Sequence, residues 1–156
     1  MIRQPAVAGQ FYQASPEKLR KQVEDCLEPN ASKQKATAVV VPHAGLIYSG
    51  PVAGSVYSRV ILPQTLVLIG PNHTGLGSPI SVFPEGEWEM PNGPVMIDQN
   101  LAEAILERSP HVEPDVEAHL YEHCLEVHLP FLQYFPNDKY RAILRFVISP
   151  RQHFTQ

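Results

Sequence analysis

The sequence predicts a single α/β domain over residues 1–156, with a mostly parallel sheet flanked by helices. Two apolar runs, residues 37–41 and 65–69, are rich in β-branched and aliphatic side chains and end at turn-forming residues. This pattern is typical of strands that are buried on both faces. A helical pattern separates the two runs, so they form a strand–helix–strand unit whose strands should be parallel. Asn92-Gly93 between later apolar segments indicates an additional antiparallel hairpin.

Capping and turn residues predict where the helices of the N-terminal half begin and end. Ser15 and Pro16 are preferred at the N-cap and the first position of a helix, so a first helix should begin there and stop at residues 29–32. Residues 45–50 are bracketed by glycines and are expected to form a loop. Pro51 is then expected to begin the second helix.

The C-terminal half is predicted to contain four strands, a helix capped by Asp98 and a partly helical segment at residues 121–135. Pro130 leaves two alternatives for that segment, because a proline inside a helix removes a hydrogen bond and kinks it. The helix either bends at Pro130, or a new helix begins there. The strands are expected at residues 80–83, 87–90, 95–97 and 140–148.

Composition excludes several classes of protein. Of the 156 residues, 44% are hydrophobic and 18% are charged, as in an ordinary globular protein. The net charge of −4 argues against a dedicated nucleic-acid binder. Two cysteines form no disulfide framework, and no signal peptide or membrane-spanning run is evident. We therefore expect a cytoplasmic protein with neither nucleic-acid nor membrane partners.

Two histidines occupy matching positions beyond the two predicted strands. His43 follows the first apolar run and its proline, and His73 follows the second run and Gly70-Pro71. Ligands of parallel sheets bind beyond the carboxyl ends of the strands, so both imidazoles should face one crevice. A single loop histidine is more often satisfied by backbone carbonyls, but a matched pair favours a metal site, since imidazole is the commonest metal ligand.

A second cluster of polar residues comprises Glu122, His123, Glu126 and His128. On a helix, Glu122 and Glu126 share a face and His123 lies near Glu126, while a straight helix turns His128 away from His123. The alternative interpretation is a solvated acidic helix face with incidental histidines. The spacing differs from the His-Glu-x-x-His motif of zinc proteases, which is therefore excluded.

Four blocks of this sequence together resemble the Memo-like family, whose bacterial and archaeal members include AmmeMemoRadiSam system protein B. They lie in the family's order and extend over most of the chain. The blocks are Pro5-Ala6-Val7-Ala8-Gly9-Gln10-Phe11-Tyr12, Val41-Pro42-His43-Ala44-Gly45 with Tyr48-Ser49-Gly50, Ile69-Gly70-Pro71-Asn72-His73, and Glu122-His123-Cys124-Leu125-Glu126-Val127-His128-Leu129-Pro130-Phe131.

The resemblance implies a fold similar to the class III extradiol dioxygenases, which use non-haem Fe(II). It implies that His43 and His73 are metal ligands for iron or copper, and that His123, Glu126 and His128 lie around the same cleft. The family's third ligand comes from a later block that has no match here. The family is also longer, so this chain resembles its N-terminal half to three-fifths. Such truncation would expose sheet edges and favour self-association.

Our hypothesis from the sequence is a metal-binding protein that holds Fe(II) or Cu through His43 and His73 and carries out redox chemistry of the dioxygenase type. His123, Glu126 and His128 are the candidates for the catalytic roles, as third ligand or as acid–base groups. The alternative is a non-catalytic module that binds a peptide or protein partner in the same cleft. The bound molecule would be a small molecule or a peptide.

Overall fold

The computed structural model describes residues 1–135 and the backbone of residues 142–148. These parts of the chain contain five α-helices, one 3-10 helix and seven strands. The helices are α1 (Pro16–Cys26), α2 (Leu46–Ser58), α3 (Gln99–Arg108), α4 (Glu117–Leu120), the 3-10 helix (Glu126–His128) and α5 (Leu129–Tyr134). The strands are β1 (Ile2–Arg3), β2 (Thr65–Pro71), β3 (Ile80–Val82), β4 (Glu87–Trp88), β5 (Val95–Met96), β6 (Glu113–Pro114) and β7 (Ala142–Ile148).

The strands form two small sheets, and each sheet mixes parallel and antiparallel pairs. The larger sheet has the order β2-β7-β3-β6, in which β7 is parallel to β2 and antiparallel to β3, and β3 is parallel to β6. The smaller sheet has the order β1-β4-β5, with a parallel and an antiparallel pair. The architecture is therefore mixed α/β, as predicted, and both sheets are mixed where a mostly parallel sheet was expected.

Helices α1 and α2 pack closely together and contribute to the main hydrophobic core. Leu19 and Val23 of α1 are fully buried, as their helical spacing predicts. Gly54 of α2 lies against the end of α1, where a Cβ atom would come within 2.0 Å of the carbonyl oxygen of Cys26. Only glycine allows this approach, so Gly54 fixes how α2 lies on α1.

Several predictions that depend on local signals are confirmed. Helix α1 begins at Pro16 with Ser15 as its N-cap. Asp98 caps α3 by accepting a hydrogen bond from the backbone N–H of Leu101 at 3.0 Å. Strands β4 and β5 form the antiparallel hairpin expected around Asn92-Gly93. Of the two alternatives at Pro130, the structure has a new helix, α5, with this proline in its first turn.

The prediction of a first buried strand at residues 37–41 is wrong. These residues have no strand structure, and Val40 is 96% exposed. A strand requires a hydrogen-bonded neighbour, and the neighbour of β2 in the described sheet is β7. The expected strand–helix–strand unit is therefore absent from the described residues, and the parallel pairing of β2 is made with β7 instead.

Two further expectations are corrected by the structure. Residues 46–50 belong to helix α2, and Pro51 lies inside it. The helix starts upstream because Leu46 is buried and its backbone N–H donates to the carbonyl of Phe11 at 2.7 Å. Strand β2 is half-buried on one face, where Leu66 and Leu68 pack against the core, and exposed on the other, where Ile69 is 65% exposed. Self-association through such exposed strands remains a prediction. No described helix is long and apolar enough to cross a membrane.

Candidate metal centre

Three imidazoles converge beside the end of β2. His43 lies in the segment that precedes α2, His73 lies two residues after β2, and His123 lies between α4 and the 3-10 helix. One potential ligand atom from each side chain lies within 4.8 Å of the other two. The rings of His73 and His123 are stacked with centroids 4.5 Å apart, and that of His43 lies 5.3 and 5.9 Å from them. We call these three residues the histidine cluster.

The turn after β2 is held by the side chain of Asn72. Its carbonyl oxygen accepts hydrogen bonds from the backbone N–H groups of Thr74 and Gly75, at 3.1 and 2.9 Å. Its amide nitrogen donates to the carbonyl of Leu76 at 2.7 Å. Asn72 is itself buried. The turn that carries His73 is thus fixed from inside by its neighbour in the sequence.

Gly70 allows the segment that carries His123 to approach β2. A Cβ atom on Gly70 would lie 2.5 Å from the sulfur of Cys124 and 2.7 Å from Leu125. The thiol of Cys124 donates to the carbonyl of Pro71 at 3.1 Å, which ties the two segments together. Burial raises the pKa of this thiol well above its ordinary value, so Cys124 stays protonated.

Glu122 joins the two segments that supply His73 and His123. Its side chain is fully buried, and one oxygen, Oε1, lies 2.9 Å from Nδ1 of His73 and 3.4 Å from Nδ1 of His123. The sequence placed Glu122 beside the site without giving it a role. Its contact with His73 spans 49 residues, so no local pattern could have revealed it.

Backbone N–H groups complete the surroundings of the Glu122 carboxylate. His73 donates to Oε2 at 2.6 Å, and His123 and Cys124 donate to Oε1 at 2.8 and 2.9 Å. Burial alone would raise the pKa of Glu122, but the hydrogen bonds from His73 and Cys124 outweigh it and lower the pKa to about 2. Glu122 is therefore ionised throughout the neutral range.

Burial also keeps two imidazoles of the histidine cluster neutral. It lowers the pKa of His43, and the nearby His73 lowers it further. It likewise lowers the pKa of His123, although the charge of Glu122 opposes this effect. A neutral imidazole retains the lone pair that a metal ion requires, so the lowered pKa values of His43 and His123 favour metal binding at neutral pH.

His128 lies near the histidine cluster but does not belong to it. Its side chain is 7% exposed, its ring centroid is 6.1 Å from that of Tyr57, and its Nδ1 has no hydrogen-bond partner among the described residues. Burial, aided by the neighbouring His43, lowers its pKa to about 4.

Glu126, the other carboxylate expected at the cleft, binds groups of the N-terminal segment. Its Oε2 pairs with the guanidinium of Arg3 at 2.6 Å and accepts from the backbone N–H of Ala6 at 2.8 Å. Its Oε1 accepts from the hydroxyl of Tyr12 at 2.5 Å and from the backbone N–H of Val7 at 3.1 Å. We call Arg3, Tyr12 and Glu126 the arginine cluster.

The solvated acidic helix face considered above is excluded, because Glu122 and Glu126 are both fully buried and residues 121–125 are not helical. Two further histidines lie in the part of the chain that the structure describes. His119 is buried against Ser81, with Nε2 3.2 Å from the hydroxyl oxygen. His111 is exposed.

The structure thus defines a mixed α/β protein with a carboxylate-supported histidine cluster that could hold a metal ion. The model of the Memo-like protein family matches residues 3–155, and the chain belongs to this family. This confirms the family predicted from the four sequence blocks.

Relatives of the chain come from archaea and bacteria. A MEMO1 family protein of Methanothermobacter thermautotrophicus is 46% identical over 155 residues, which cover 92% of this chain and 56% of the relative. One of Aquifex aeolicus is 51% identical over 151 residues, covering 95% and 55%. One of Sulfurisphaera tokodaii is 42% identical over 158 residues, covering 92% and 56%. The chain spans little more than half the length of these relatives.

Proposed function

We propose that this chain is a metal-binding protein that holds Fe(II) or a copper ion through His43, His73 and His123. The observation that carries the proposal is the convergence of these three imidazoles, whose ligand atoms lie within 4.8 Å of one another. Two of the three were proposed as ligands from the sequence, and His123 was one of the candidates for the third.

The donor set fits a transition-metal ion. Two imidazole nitrogens bound to one ion at about 2.1 Å lie at most about 4.2 Å apart, so small side-chain rotations would bring the cluster to binding distance. Imidazole ligands suit iron, copper, nickel and zinc. The carboxylates of Glu122 and Glu126 are already engaged by several donors each, which favours His123 over Glu126 as the third ligand.

When bound, an iron or copper ion supplies the ability to exchange electrons with oxygen or a substrate. The chain's own residues hold the ion, and burial keeps His43 and His123 neutral. His128, which is neutral and near His43, is a candidate acid–base group of the cleft. Glu126 supports the N-terminal segment and takes no part in this chemistry.

Metal analysis of protein purified without added metal tests the proposal. We expect stoichiometric iron or copper in the natural chain, and its loss in His43→Ala, His73→Ala and His123→Ala. His111→Ala is the matched control, because His111 is exposed and lies outside the cluster. Wild-type metal content in all three cluster variants would show that the ligands are assigned wrongly.

A second candidate function is a non-catalytic module that binds a peptide or protein partner in the same cleft. It is favoured by Ile47 and Tyr48, which follow His43 closely and are 78% and 82% exposed. Oxygen consumption with a panel of catechols distinguishes the two functions. Turnover by the metal-loaded chain supports the redox enzyme, and its absence at full metal occupancy supports the binding module.

A further inference from the structure

We propose that Glu122 is the positioning residue of the histidine cluster and that this single carboxylate sets the tautomers of both His73 and His123. The inference rests on the metal centre proposed above and concerns how its ligands are prepared. Glu122 would not contact the ion. It acts through the two imidazoles, by holding the proton of each on Nδ1.

The position of Oε1 carries the argument. This oxygen lies 2.9 Å from Nδ1 of His73, which is hydrogen-bond distance, and 3.4 Å from Nδ1 of His123. A carboxylate only accepts hydrogen bonds, so Nδ1 of His73 must carry the hydrogen. The lone pair of the neutral ring is then on Nε2, the nitrogen left for a metal ion. Neutral histidine in water favours the other tautomer, in which Nε2 carries the hydrogen.

Glu122 cannot easily leave this position to become a ligand itself. Backbone N–H groups of His73, His123 and Cys124 hold its two oxygens from three directions. Two of these donors belong to the very residues whose rings it orients. The carboxylate thus holds the backbone of both His73 and His123 and the ring of His73, as carboxylates beside metal-bound histidines commonly do.

Glu126 provides a matched comparison within the same segment. It is as fully buried as Glu122, but its partners are the Arg3 guanidinium, the Tyr12 hydroxyl and two backbone N–H groups. None of these partners is an imidazole. Removing the charge of Glu126 therefore reports the cost of losing a buried carboxylate without altering the tautomers of the ligands.

The first experiment measures the tautomers directly in the metal-free natural chain. Long-range nitrogen–proton NMR spectra at pH 8 identify the nitrogen that carries the proton in each neutral ring. We expect the Nδ1–H form for His73 and His123, and the usual predominance of Nε2–H for the exposed His111. An Nε2–H form of His73 would overturn the proposal, whatever the metal content of the protein.

The second experiment compares Glu122→Gln with Glu126→Gln, each checked for folding by circular dichroism. With Cu(II) as the probe, Glu122→Gln should lose about 10–100-fold in affinity and should change its electron paramagnetic resonance spectrum. Folded Glu126→Gln should keep the wild-type affinity and spectrum. Unchanged affinity and spectrum in Glu122→Gln would contradict the inference.

The two proposals can fail separately. A natural chain that binds no Cu(II) would refute the metal centre, while the NMR spectra would still decide the role of Glu122. A natural chain that binds Cu(II) through the three histidines but shows Nε2–H on His73 would refute only the positioning role. If Glu122→Gln does not fold, the measurement on the natural chain decides alone.

Discussion

Glu122 and Glu126 are close neighbours in the sequence, and both side chains are fully buried, yet they stabilise different parts of the protein. Glu122 faces two imidazoles and connects the turn after β2 to the segment before the 3-10 helix. Glu126 faces a guanidinium and connects the N-terminal segment to the 3-10 helix. The histidine cluster could hold a metal ion, whereas the arginine cluster ties two distant segments of the fold together.

The role of each buried carboxylate depends on the groups that donate hydrogen bonds to it. A buried carboxylate must find donors, because an unpaired charge in the interior is very costly. Arg3 is fixed by its own further bonds to the carbonyl oxygens of His119 and Glu122, at 2.7 and 2.8 Å, and its charge lies 3.7 Å from the ring centre of Trp88. His73, by contrast, remains partly open to solvent. Glu122 therefore supports an imidazole that is still accessible to a ligand.

The largest expected effect is on the arginine cluster. Arg3→Met leaves Glu126 buried without its counter-charge and should lower the free energy of unfolding by about 3–5 kcal/mol. Urea unfolding measures this loss. The double variant Arg3→Met with Glu126→Gln should recover part of it, because no unpaired charge remains. A single variant as stable as the natural chain would show that the pair does not hold the fold.

Metal addition should stabilise the histidine cluster without requiring the arginine cluster. With free Zn²⁺ at about 100 times its dissociation constant, the natural chain should gain about 2.7 kcal/mol. Folded Glu126→Gln should gain the same amount, because Glu126 contacts the N-terminal segment and none of the three imidazoles. His73→Ala should lose most of the gain. Equal stabilisation of His73→Ala and the natural chain would indicate that the ion binds elsewhere.

Acid should destabilise the side of the cleft that contains His128. In the unfolded chain this histidine takes up a proton near its ordinary pKa of 6.5, whereas in the folded chain it does so only near pH 4. Its contribution to stability is thus complete above pH 6.5 and is lost as the pH falls toward 4. The loss should reach about 2 kcal/mol at pH 5.

Urea unfolding at pH 7.5 and pH 5.0 tests this contribution of His128. His128→Gln should lose less stability than the natural chain between the two pH values, by that same amount. His111→Gln should behave like the natural chain, because His111 is exposed. An identical pH dependence in His128→Gln and the natural chain would argue against a neutral buried His128.

The smallest expected effect concerns Tyr12. Tyr12→Phe removes the hydroxyl that donates to Oε1 of Glu126 at 2.5 Å. The charged acceptor keeps its three other donors, so the free energy of unfolding should fall by about 1.5 kcal/mol, at the low end for hydrogen bonds to charged groups. Cu(II) affinity should stay unchanged. A loss of Cu(II) affinity in this variant would show that the two clusters are coupled.

Local signals in the sequence predicted the elements that depend on neighbouring residues. Ser15 and Pro16 begin α1, and Asp98 caps α3, because capping is satisfied within one helical turn. The hairpin of β4 and β5 follows from Asn92-Gly93 in the same way. The run at residues 37–41 failed as a strand because strand structure requires a partner that the run itself does not specify.

The candidate site was predicted in part. His43 and His73 converge as expected, although the segment before His43 is not a strand, and His123 joins them. The helical geometry assumed for the second cluster was wrong, since residues 121–125 are not helical. Consequently neither the contact of Glu122 with two imidazoles nor the burial of Glu126 against Arg3 could be derived from spacing.

The sequence by itself determined the family, the starts of α1 and α3 and the residue types that can bind a metal ion, because blocks, caps and imidazoles are properties of short segments. Only the tertiary structure decided which carboxylate meets which partner. The contact of Glu122 with His73 spans 49 residues, and that of Glu126 with Arg3 spans 123. The hydrogen-bond donors around a buried carboxylate come from distant segments that tertiary packing brings together. Local sequence patterns therefore do not specify them.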